Sequence, residues 1–394
     1  MPRYVIDERA LTRNLEILKG VSGRTGVKIL LAQKAYSCAA TYPLCARYLA
    51  GTTASSLFEA KHGHDSFGGE THVFAPAFIP EEMDELLGVV DHIVFNSPRQ
   101  VALYGEKAQA RGVSVGLRVN PEVSVATTPA YDPCRPGSRL GTTYSTLNPQ
   151  PSTLNSLDGL HFHCLCEQGV DELRMVLAGF EEKFGDLLPQ MKWVNFGGGH
   201  HITRADYDID GLVELLLGFR RRHPHLTVYL EPGEAVALNA GTLESRVLEI
   251  QPPGADGISN VILDVSAACH MPDVLEMPYT PRCAVTSCPV ESCGLSIVNT
   301  PVGGAAQPST LNAQHLYRFG GPTCLAGDEI GTYSFPHPLR EGDKVVFEDM
   351  AIYSMVKNNT FNGVNLPDIV LRHEDGREET LRRFGYGDFA SRLG

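Results

Sequence analysis

The sequence lacks three features that would each assign it to a large class of proteins. It has no low-complexity tract, no Lys and Arg cluster that provides an electrostatic footprint for nucleic acid, and no apolar run long enough to span a bilayer. Its 394 residues carry a formal net charge of -13. An acidic chain without a basic patch is a poor partner for the phosphates of nucleic acid. We therefore expect a globular protein without a nucleic-acid or membrane partner, and its acidic surface suits a small cationic ligand.

Two further absences concern the start of the chain and the cysteines. The first segment, MPRYVIDERALTRNLEILKG, has no basic stretch followed by an apolar core and a cleavage site, so we expect a cytoplasmic protein. The ten cysteines are scattered without a CxxC pair, which favours free thiols over disulfides. Cys283, Cys288 and Cys293 lie close together, but their spacing matches no zinc motif. We therefore expect no metal site.

The chain does contain a repeated alternation of short apolar runs and helical patterns. The runs are typical of strands. They are KILLAQ at 28–33, GTTAS at 51–55, THVFAP at 71–76, DHIVFN at 91–96, VSVGLRVN at 113–120, LDGLHFHC at 157–164, KWVNFG at 192–197 and LTVYLEP at 226–232. Strand and helix alternating eight times predict an α/β fold, a parallel (β/α)8 barrel of the TIM type.

The segments between these runs have the three-to-four spacing of apolar residues that predicts helices. They are SCAATYPLCARYLA, SSLFEAKHG, PEEMDELLG, SPRQVALYGEKAQARG, EQGVDELRMVLAGFEEKFG and YDIDGLVELLLGFRRRH. The segment that follows Met1 is also predicted to be helical, because Leu11, Leu15 and Leu18 share this spacing and Gly20 ends it.

Two regions depart from the alternation of strands and helices. The chain from 121 to 156 is rich in Pro, Thr and Ser, which indicates an insertion over one end of the barrel. After about residue 245 the helical pattern fades, and turn-punctuated segments such as SNVILDVS and PDIVLRH follow. We therefore predict a barrel domain at 1–245 and a C-terminal antiparallel β domain at 246–394.

Chemistry in such a barrel lies at the carboxyl ends of the strands. Lys34 follows the first run, His163 ends the sixth, the glycines at 197–199 follow the seventh, and Glu231 ends the eighth. A lysine among apolar neighbours can act as an amine nucleophile, and glycines let backbone N–H groups approach a phosphate. A buried carboxylate keeps a pyridine nitrogen protonated, and an imidazole offers a flat face. Together these residues predict a pocket for pyridoxal phosphate (PLP).

Each of these residues has an ordinary interpretation when it is taken alone. Lys34 could be a solvent-exposed lysine, His163 a hydrogen-bonded core histidine, and the glycines a tight exit from a strand. The prediction rests on their joint placement at one end of the same barrel.

Seven segments carry a resemblance to a known family. They are LAQKAYS, GLHFHCLCEQG, NFGGGHHIT, EPGEAV, HMPDVLEMPY, GPTCLAGD and YSMVKNNTFNG. Together they resemble the fold-type III PLP decarboxylases, the alanine-racemase-like family that includes ornithine and diaminopimelate decarboxylases. Within it, TASSLFEA, HFHCLCEQ and DVSAACHMPDVLEMPY are most similar to the carboxynorspermidine/carboxyspermidine decarboxylases. The resemblance covers nearly the whole chain and implies a barrel with a β domain, PLP as the cofactor, and a head-to-tail homodimer.

The resemblance also implies which residues of the barrel hold the cofactor. Lys34 would bond covalently to the cofactor aldehyde, and His163 would stack on its ring. Glu231 would face the pyridine nitrogen, while the amides of Gly198 and Gly199 would donate to the phosphate.

Further roles fall on the C-terminal half of the chain. The resemblance implies that Tyr353 touches the phosphate and that Cys324 of the partner subunit returns a proton to the carbon that lost CO2. Asp328 would help to hold the distal amine of the substrate. A long cation needs carboxylates along its channel, and Asp273 and Glu276 lie in a segment that could supply them, although Glu276 could equally be a solvated loop acid.

Three positions depart from the pattern of ornithine decarboxylases. Leu325 follows the cysteine of GPTC where those enzymes have an acidic residue, and Glu234 stands where they have the arginine of EPGR. Cys166 takes the place of a serine expected three residues after the stacking histidine. These changes argue against ornithine as the substrate and leave part of the phosphate site without an assigned residue.

The predicted reaction is the PLP-dependent decarboxylation of carboxynorspermidine or carboxyspermidine to norspermidine or spermidine, a step of polyamine biosynthesis. The sequence does not separate the two acids, because they differ by one methylene. A diaminopimelate or other basic amino-acid decarboxylase of the same fold is an alternative prediction. A non-catalytic regulatory homologue is another, although the complete set of Lys34, His163, Glu231 and Cys324 argues against it.

Overall fold

The computed structural model describes residues 1–147, 156–285, 296–297 and 315–394. The chain divides into two compact units: a barrel unit, Thr12–Val236, and a sheet unit, Met1–Leu11 together with Ala237–Gly394. The helices are α1 (Glu8–Thr25), α2 (Tyr42–Cys45), α3 (Leu57–Ser66), α4 (Met83–Leu86), α5 (Pro98–Ala110), α6 (Tyr144–Leu147), α7 (Val170–Phe184), α8 (Ile209–Arg222), α9 (Glu234–Ala237), α10 (Ala267–His270), α11 (Asp273–Glu276), α12 (Ser354–Lys357) and α13 (Tyr386–Leu393). In this described part of the chain, no helix combines the length and the apolar character needed to cross a membrane.

The first strand, β1 (Arg3–Asp7), belongs to the sheet unit, and the next eight strands form a closed parallel barrel. They are β2 (Lys28–Ala32), β3 (Gly51–Ala54), β4 (Glu70–Phe74), β5 (His92–Phe95), β6 (Ser114–Arg118), β7 (Gly159–His161), β8 (Trp193–Asn195) and β9 (Thr227–Leu230). Each pairs with the next in sequence, and β9 closes onto β2 through the pairs Lys28↔Tyr229 and Ile29↔Leu230. All eight predicted strands are confirmed, with shorter bounds than predicted.

Several barrel helices begin where the sequence supplies a capping side chain. Ser56 accepts a hydrogen bond from the N–H of Glu59 at the start of α3, and Ser97 accepts one from Gln100 at the start of α5. The helix predicted for 37–50 is reduced to the single turn α2, because Pro43 in its first turn lacks the N–H that an upstream helix would need.

The single tryptophan fills the amino-terminal end of the barrel interior. A Cβ added to Gly159 would lie 2.1 Å from the indole of Trp193, and one added to Gly116 would lie 2.3 Å from it. Strands β6 and β7 therefore need glycine at these two positions. The buried cluster around the indole is Leu30, Val94, Trp193 and Tyr229.

The predicted insertion is anchored at the carboxyl ends of β5 and β6. The N–H of Gly141 donates to Asn96 Oδ1 at 2.6 Å, and the N–H of Thr142 donates to the carbonyl oxygen of Arg118 at 2.9 Å. Residues 148–155 of the insertion lie outside the described part of the chain. Asn96 is thus a structural residue of this loop.

The sheet unit is built on one ten-stranded sheet. Besides β1, its strands are β10 (Gly241–Ile250), β11 (Ser259–Leu263), β12 (Cys283–Val285), β13 (Ser296–Ile297), β14 (His315–Gly320), β15 (Glu329–Phe335), β16 (Lys344–Glu348), β17 (Asp368–Arg372) and β18 (Glu378–Arg382). Their order is β13-β15-β14-β11-β10-β1-β17-β18, with β16 paired to β10 and β12. The pairs β1–β17 and β11–β14 are parallel, so the predicted β domain is confirmed as a mixed sheet and not a wholly antiparallel one.

The two units differ from the predicted domains 1–245 and 246–394. The chain after Met1 forms a strand before it forms a helix, and Arg3 of that strand pairs with Glu244 and with Asp368. These pairings place the first residues in the sheet unit. The sheet unit also resumes at Ala237, before the predicted boundary, because β10 begins earlier than the sequence pattern indicated.

Candidate active site

Four loops at the carboxyl end of the barrel bring the predicted cofactor residues together. They follow β2, β7, β8 and β9, and they carry Lys34, His163, the glycines at 197–199 and Glu231. A Cβ added to Gly198 would lie 2.4 Å from the carbonyl oxygen of Glu231 and 3.2 Å from His163 Cε1. The last three loops are therefore in direct contact at this end of the barrel.

Lys34 lies in the turn that follows β2. Its side chain is exposed, yet enough protein surrounds the ammonium for burial to lower the pKa of Lys34. The charge of Arg118 lowers this pKa further, and Glu231 offsets part of the effect. Arg118 itself is buried, with its guanidinium 4.5 Å from the centre of the Phe74 ring and Nη2 3.0 Å from the carbonyl oxygen of His163. A lowered pKa leaves more of the amine neutral, which is the form that attacks an aldehyde.

Glu231 is a buried carboxylate with two partners inside the barrel. Asn195 Nδ2 donates to Oε1 at 2.7 Å, and His161 Nε2 lies 3.3 Å from Oε2. Burial raises the pKa of Glu231, but His161 and Asn195 outweigh burial and lower the pKa to about 2. Burial lowers the pKa of His161, and its Nδ1 has no hydrogen-bond partner among the described residues, as fits a neutral ring protonated on Nε2. Glu231 is thus ionised at neutral pH, as a partner of a protonated pyridine nitrogen must be.

The imidazole of His163 is fixed by the glycine turn. The N–H of Gly198 donates to His163 Nδ1 at 3.0 Å, so the neutral ring carries its proton on Nε2. Burial, followed by the charge of Lys34, holds the pKa of His163 well below its ordinary value. The amide of Gly198 is therefore committed to the imidazole, in contrast to the expectation that it donates to a phosphate. Gly199, with φ of +80°, leaves its amide as the predicted phosphate donor.

Cys324 and Asp328 lie in one turn of the sheet unit. Cys324 is exposed, whereas the other described cysteines are buried or half-buried, and its N–H donates to Asn362 Oδ1 at 2.8 Å. Asp328 is only 4% exposed and accepts hydrogen bonds from Ser266 Oγ at 2.9 Å and from Thr323 Oγ1 at 2.6 Å. These bonds hold the turn of Cys324. One carboxylate oxygen of Asp328 thus faces the start of α10 and the other faces its own turn, and binding of a substrate amine by Asp328 stays a prediction.

Asp273 and Glu276, the acids expected to meet a cationic substrate, already contact an ammonium of their own unit. Lys357 Nζ forms ion pairs with both carboxylates. The side chain of Asp273 is 13% exposed and that of Glu276 is 54% exposed. Any substrate ammonium that binds Asp273 must therefore share it with Lys357.

Tyr353, the residue expected to touch a phosphate, has an unusual backbone. Its φ is +49° and its ψ is -51°, and α12 begins immediately after it. A residue other than glycine rarely adopts a positive φ, and such conformations cluster at functional sites. The observed strain thus supports a functional role for this position.

Three groups of side chains in the described part of the chain bring possible metal ligands within 4.8 Å of one another. They are Glu70–His72–His92, His161–His163–Glu231 and Glu167–His201–Glu234. In the first group Lys28 pairs with Glu70 and neutralises it. The rings of His72 and His92 are stacked with centroids 4.0 Å and planes 7° apart, so one ion cannot lie in both ring planes. Cys288 and Cys293, considered above for zinc, lie outside the described residues.

The barrel site fits a cofactor that carries an aldehyde, an aromatic nitrogen and a phosphate. Lys34 offers an amine with a lowered pKa, and Glu231 offers an ionised carboxylate. His163 presents a partly exposed ring, and Gly199 lies in a tight turn that an added Cβ would obstruct, 2.1 Å from the carbonyl oxygen of Leu165. These residues fit PLP, the cofactor that the sequence resemblance implies.

Sequence reasoning missed three side chains of this site: Arg118, His161 and Asn195. Each is the last residue of its strand, in β6, β7 and β8 respectively. The apolar runs predicted strand ends two to three residues later, at 120, 164 and 197, so these residues were taken for strand interiors. A polar residue at the final inward position of a short strand is the signal that could have found them.

Comparison with known proteins shows the family to which the chain belongs. A family model described as "Pyridoxal-dependent decarboxylase, C-terminal sheet domain" matches residues 3–351. A carboxynorspermidine/carboxyspermidine decarboxylase of Campylobacter jejuni is 40% identical over 395 residues, which covers 99% of this chain and 98% of that protein. The carboxyaminopropylagmatine decarboxylase of Synechocystis sp. is 39% identical over 394 residues, with 100% and 95% covered.

Solved structures show the same fold. The crystal structure of carboxynorspermidine decarboxylase from C. jejuni, complexed with norspermidine, is 38% identical with a TM-score of 0.88, and 100% of this chain and 99% of that chain are covered. Diaminopimelate decarboxylase of Helicobacter pylori, complexed with L-lysine, is 16% identical with a TM-score of 0.79, covering 100% of this chain and 96% of that one. At that identity the second structure shows the fold alone.

The fold and the site define a class: a (β/α)8 barrel joined to a mixed-sheet unit, with a lysine-centred site at the carboxyl end of the barrel. The chain belongs to the pyridoxal-dependent decarboxylases, as the sequence motifs predicted. It is an enzyme whose cofactor is PLP.

Proposed function

We propose that the protein decarboxylates carboxynorspermidine or carboxyspermidine, giving norspermidine or spermidine in polyamine biosynthesis. The observation that carries this proposal is the full-length match to the C. jejuni carboxynorspermidine decarboxylase, 38% identical and complexed with norspermidine. Diaminopimelate decarboxylases align over similar lengths at only 16% to 20% identity. The net charge of -13 also suits a polycationic substrate.

A second candidate substrate has support from one relative. The Synechocystis sp. enzyme that is 39% identical to this chain is named for carboxyaminopropylagmatine. That acid ends in a guanidinium, whereas the carboxytriamines end in an ammonium. A guanidinium presents a planar fork of N–H donors, and an ammonium is a compact charge. The arrangement of the carboxylates that receive the distal end therefore decides between the two candidates.

In the proposed reaction the barrel residues hold the cofactor and control its charge. Lys34 would hold the aldehyde, and His163 would pack against the ring. Glu231, fixed by Asn195 and His161, would keep the pyridine nitrogen protonated. When bound, PLP supplies the electron sink that stabilises the charge left on the substrate carbon after CO2 departs.

The sheet unit completes the proposed site from the partner subunit of a head-to-tail homodimer, as the family resemblance implies. Cys324 of the partner subunit returns a proton to the carbon that lost CO2, and the exposure of this thiol supports the role. Tyr353 touches the phosphate, and Asp273 contributes to the site for the substrate amines. Asp328 supports the turn of Cys324. The proposal places this dimer in the cytoplasm.

A panel of four acids tests the proposed substrate. The purified PLP-loaded protein is given carboxynorspermidine, carboxyspermidine, carboxyaminopropylagmatine and meso-diaminopimelate, and the CO2 and amine released are measured. We expect kcat/KM for a carboxytriamine to exceed that for diaminopimelate by about 100-fold or more, because diaminopimelate carries a second carboxylate at its distal end, where a carboxytriamine carries an ammonium. Diaminopimelate as the best substrate contradicts the proposal, and a preference for the guanidino acid favours the second candidate.

A further inference from the structure

The thiol that is proposed to return the proton lies in a closed turn of the sheet unit. This turn of Cys324 comprises residues 321–328, between β14 and β15. The N–H of Gly321 donates to the carbonyl oxygen of Asp328 at 3.0 Å, so the two ends of the turn meet. A Cβ added to Gly321 would lie 2.3 Å from Asp328 Oδ2. The turn is therefore tightly closed at its base, while Cys324 lies exposed at its tip.

The base of this turn is fixed to the short helix α10. Asp328 Oδ1 accepts hydrogen bonds from Ser266 Oγ at 2.9 Å and from the N–H of Ala268 at 3.2 Å. Ser266 is the N-cap of α10, and its side chain also accepts from the N–H of Cys269. Hydrogen bonds to a carboxylate are stronger than those between neutral groups, so α10 holds the base of the turn in place.

A second segment, residues 359–365, is fixed to the same helix. The N–H of Asn359 donates to the carbonyl oxygen of Cys269 at 2.9 Å. At the other end of the segment, His270 Nε2 lies 3.0 Å from the carbonyl oxygen of Asn365. Helix α10 is therefore a common support for the turn of Cys324 and for this segment.

Asn362 joins the segment to the tip of the turn. Its Oδ1 accepts a hydrogen bond from the N–H of Cys324 at 2.8 Å. Its backbone is left-handed, with φ of +55° and ψ of 16°. Asparagine adopts this conformation more readily than most residues other than glycine. An asparagine at this position therefore supplies both the backbone conformation and the acceptor that Cys324 uses.

Fixing the backbone of Cys324 limits the positions of its sulfur. The side chain has one torsion, χ1, that moves Sγ, so a fixed backbone leaves Sγ three staggered positions. A proton donor must lie within reach of the atom that it protonates, and a displacement of about 1 Å can slow such a step about 100-fold. Without the bond to Asn362, the exposed tip of the turn would move relative to its base, and Sγ would occupy the productive position less often.

We propose that Asn362 is a positioning residue for the proton transfer: its side chain fixes the backbone of Cys324 and, with it, the place from which the thiol delivers its proton. This inference rests on the proposed role of Cys324, and it deepens that role by naming the group that sets the position of the thiol.

The fate of the proton reports the position of the thiol. A proton on the carbon that lost CO2 gives the amine and leaves PLP unchanged. A proton on the carbon of the cofactor aldehyde instead converts the acid and PLP into CO2, an aldehyde and pyridoxamine phosphate. In that case the amino group moves to the cofactor, which is reduced while the substrate carbon is oxidised, so no other oxidant is needed. The ratio of aldehyde to amine therefore measures how well the thiol is placed.

The test measures this ratio in the full-length PLP-loaded protein, with carboxynorspermidine or whichever of the four acids reacts fastest. Cys324→Ala should raise the ratio by about 100-fold, because the proton donor is gone. Asn362→Gly should raise it by about 10-fold or more, because glycine keeps the left-handed backbone but has no acceptor. Asn362→Asp keeps an acceptor at the same position and should keep the unmodified ratio.

Asn239→Gly is the matched control. Asn239 is a second left-handed asparagine of the sheet unit, with φ of +53°, and its N–H donates to Asp349 Oδ1 at 2.6 Å. This variant makes the same exchange outside the turn of Cys324, so its ratio should equal that of the unmodified protein. A ratio raised as far in Asn239→Gly or in Asn362→Asp as in Asn362→Gly overturns the proposal.

The Cys324→Ala protein separates failure of this inference from failure of the proposed function. An unmodified ratio in Asn362→Gly, together with a raised ratio in Cys324→Ala, overturns the inference and leaves the proton role of Cys324 standing. An unmodified ratio in Cys324→Ala refutes that role and this inference with it. The proposed substrate is tested separately, by the CO2 released from the four acids.

Amide hydrogen exchange gives a second readout, which needs no turnover. In the full-length apo-protein, the N–H of Cys324 should exchange about 10-fold faster or more in Asn362→Gly than in the unmodified protein, with no change in Asn362→Asp or Asn239→Gly. Equal exchange in Asn362→Gly and the unmodified protein overturns the proposal. Should Asn362→Gly fail to fold, Asn362→Ala takes its place in both measurements because alanine also lacks the acceptor, and Asn239→Ala is then the control.

Discussion

Glu231 and His161 face each other across a buried contact of 3.3 Å, and the barrel keeps one ionised and the other neutral. Burial alone would favour neutral forms of both groups. Contact with His161, and after it the hydrogen bond from Asn195, lowers the pKa of Glu231 despite burial, while burial and the charge of Arg118 lower the pKa of His161. The carboxylate is thus ionised and fixed in orientation before any ligand arrives.

A substitution at Glu231 tests this role. Glu231→Gln keeps the shape of the side chain and removes its charge, so the pyridine nitrogen loses the group that keeps it protonated. We expect kcat to fall by about 100-fold or more while PLP stays bound, as when a preorganised electrostatic contact is removed from an active site. The measurement is steady-state kinetics together with cofactor content. Glu181→Gln, which breaks an exposed pair with Arg222, should leave kcat unchanged. Equal kcat in both variants would argue against the assigned role.

A residue of the site could be predicted from the sequence only where its position after an apolar run was sufficient to place it at the end of a strand. Lys34, His163 and Glu231 could be predicted to lie at one end of the barrel, because each follows an apolar run and the ends of parallel barrel strands meet. The hydrogen bond that Asp328 accepts from Ser266 could not be predicted, because the two residues are 62 positions apart in sequence. Likewise, nothing near Asp273 in sequence indicates its ion pair with Lys357. Such long-range partners are set by tertiary packing.

At the scale of elements, β6, β7 and β8 are held at the amino-terminal end of the barrel by one indole and two glycines. The closeness of the Trp193 ring to Gly116 and Gly159 leaves no space for a methyl group at either position. The same three strands end in Arg118, His161 and Asn195. Packing at the amino-terminal end of these strands therefore fixes how far along the barrel axis Arg118, His161 and Asn195 lie at the carboxyl end.

An alanine at Gly159 tests this packing. Its Cβ would lie 2.1 Å from the indole, so Gly159→Ala should lower the free energy of unfolding by about 1–3 kcal/mol through overpacking. The free energy of unfolding is measured by denaturant titration, with the fluorescence of Trp193, the single tryptophan, as the signal. Gly20→Ala in α1 is the control. Beyond its chain neighbours and the backbone of its own helix, the Cβ added there would meet no atom of the described residues within 4 Å, so this variant should raise the free energy of unfolding by about 0.5–1 kcal/mol. A Gly159→Ala protein as stable as this control would contradict the packing account.

The barrel strands could be predicted because each has its own apolar run between helical segments. Their ends could not, since a run of apolar residues continues past the last paired residue into the loop. Strand β1 was missed for a different reason: Arg3 pairs with Glu244, and no local pattern records a partner that distant. The parallel pairs β1–β17 and β11–β14 escaped prediction for the same reason.

At the scale of the whole molecule, the chain crosses between its two units twice. The sheet unit takes its first strand from the start of the chain and the rest from Ala237 onward, so the barrel unit is an insertion between β1 and β10. The lysine site lies in the barrel unit, while the exposed thiol of Cys324 lies in the sheet unit. The proposed dimer is the arrangement that the family resemblance implies for bringing such groups to one substrate.

The central claim is that the amine of Lys34 is the covalent anchor of the cofactor. The PLP-loaded protein is reduced with borohydride and digested, and mass spectrometry maps the lysine that carries the pyridoxyl group. The account predicts the label on Lys34, whose ammonium has a lowered pKa, and none on Lys28, whose ammonium is paired with Glu70. A label on any other lysine, with Lys34 unmodified, would contradict it.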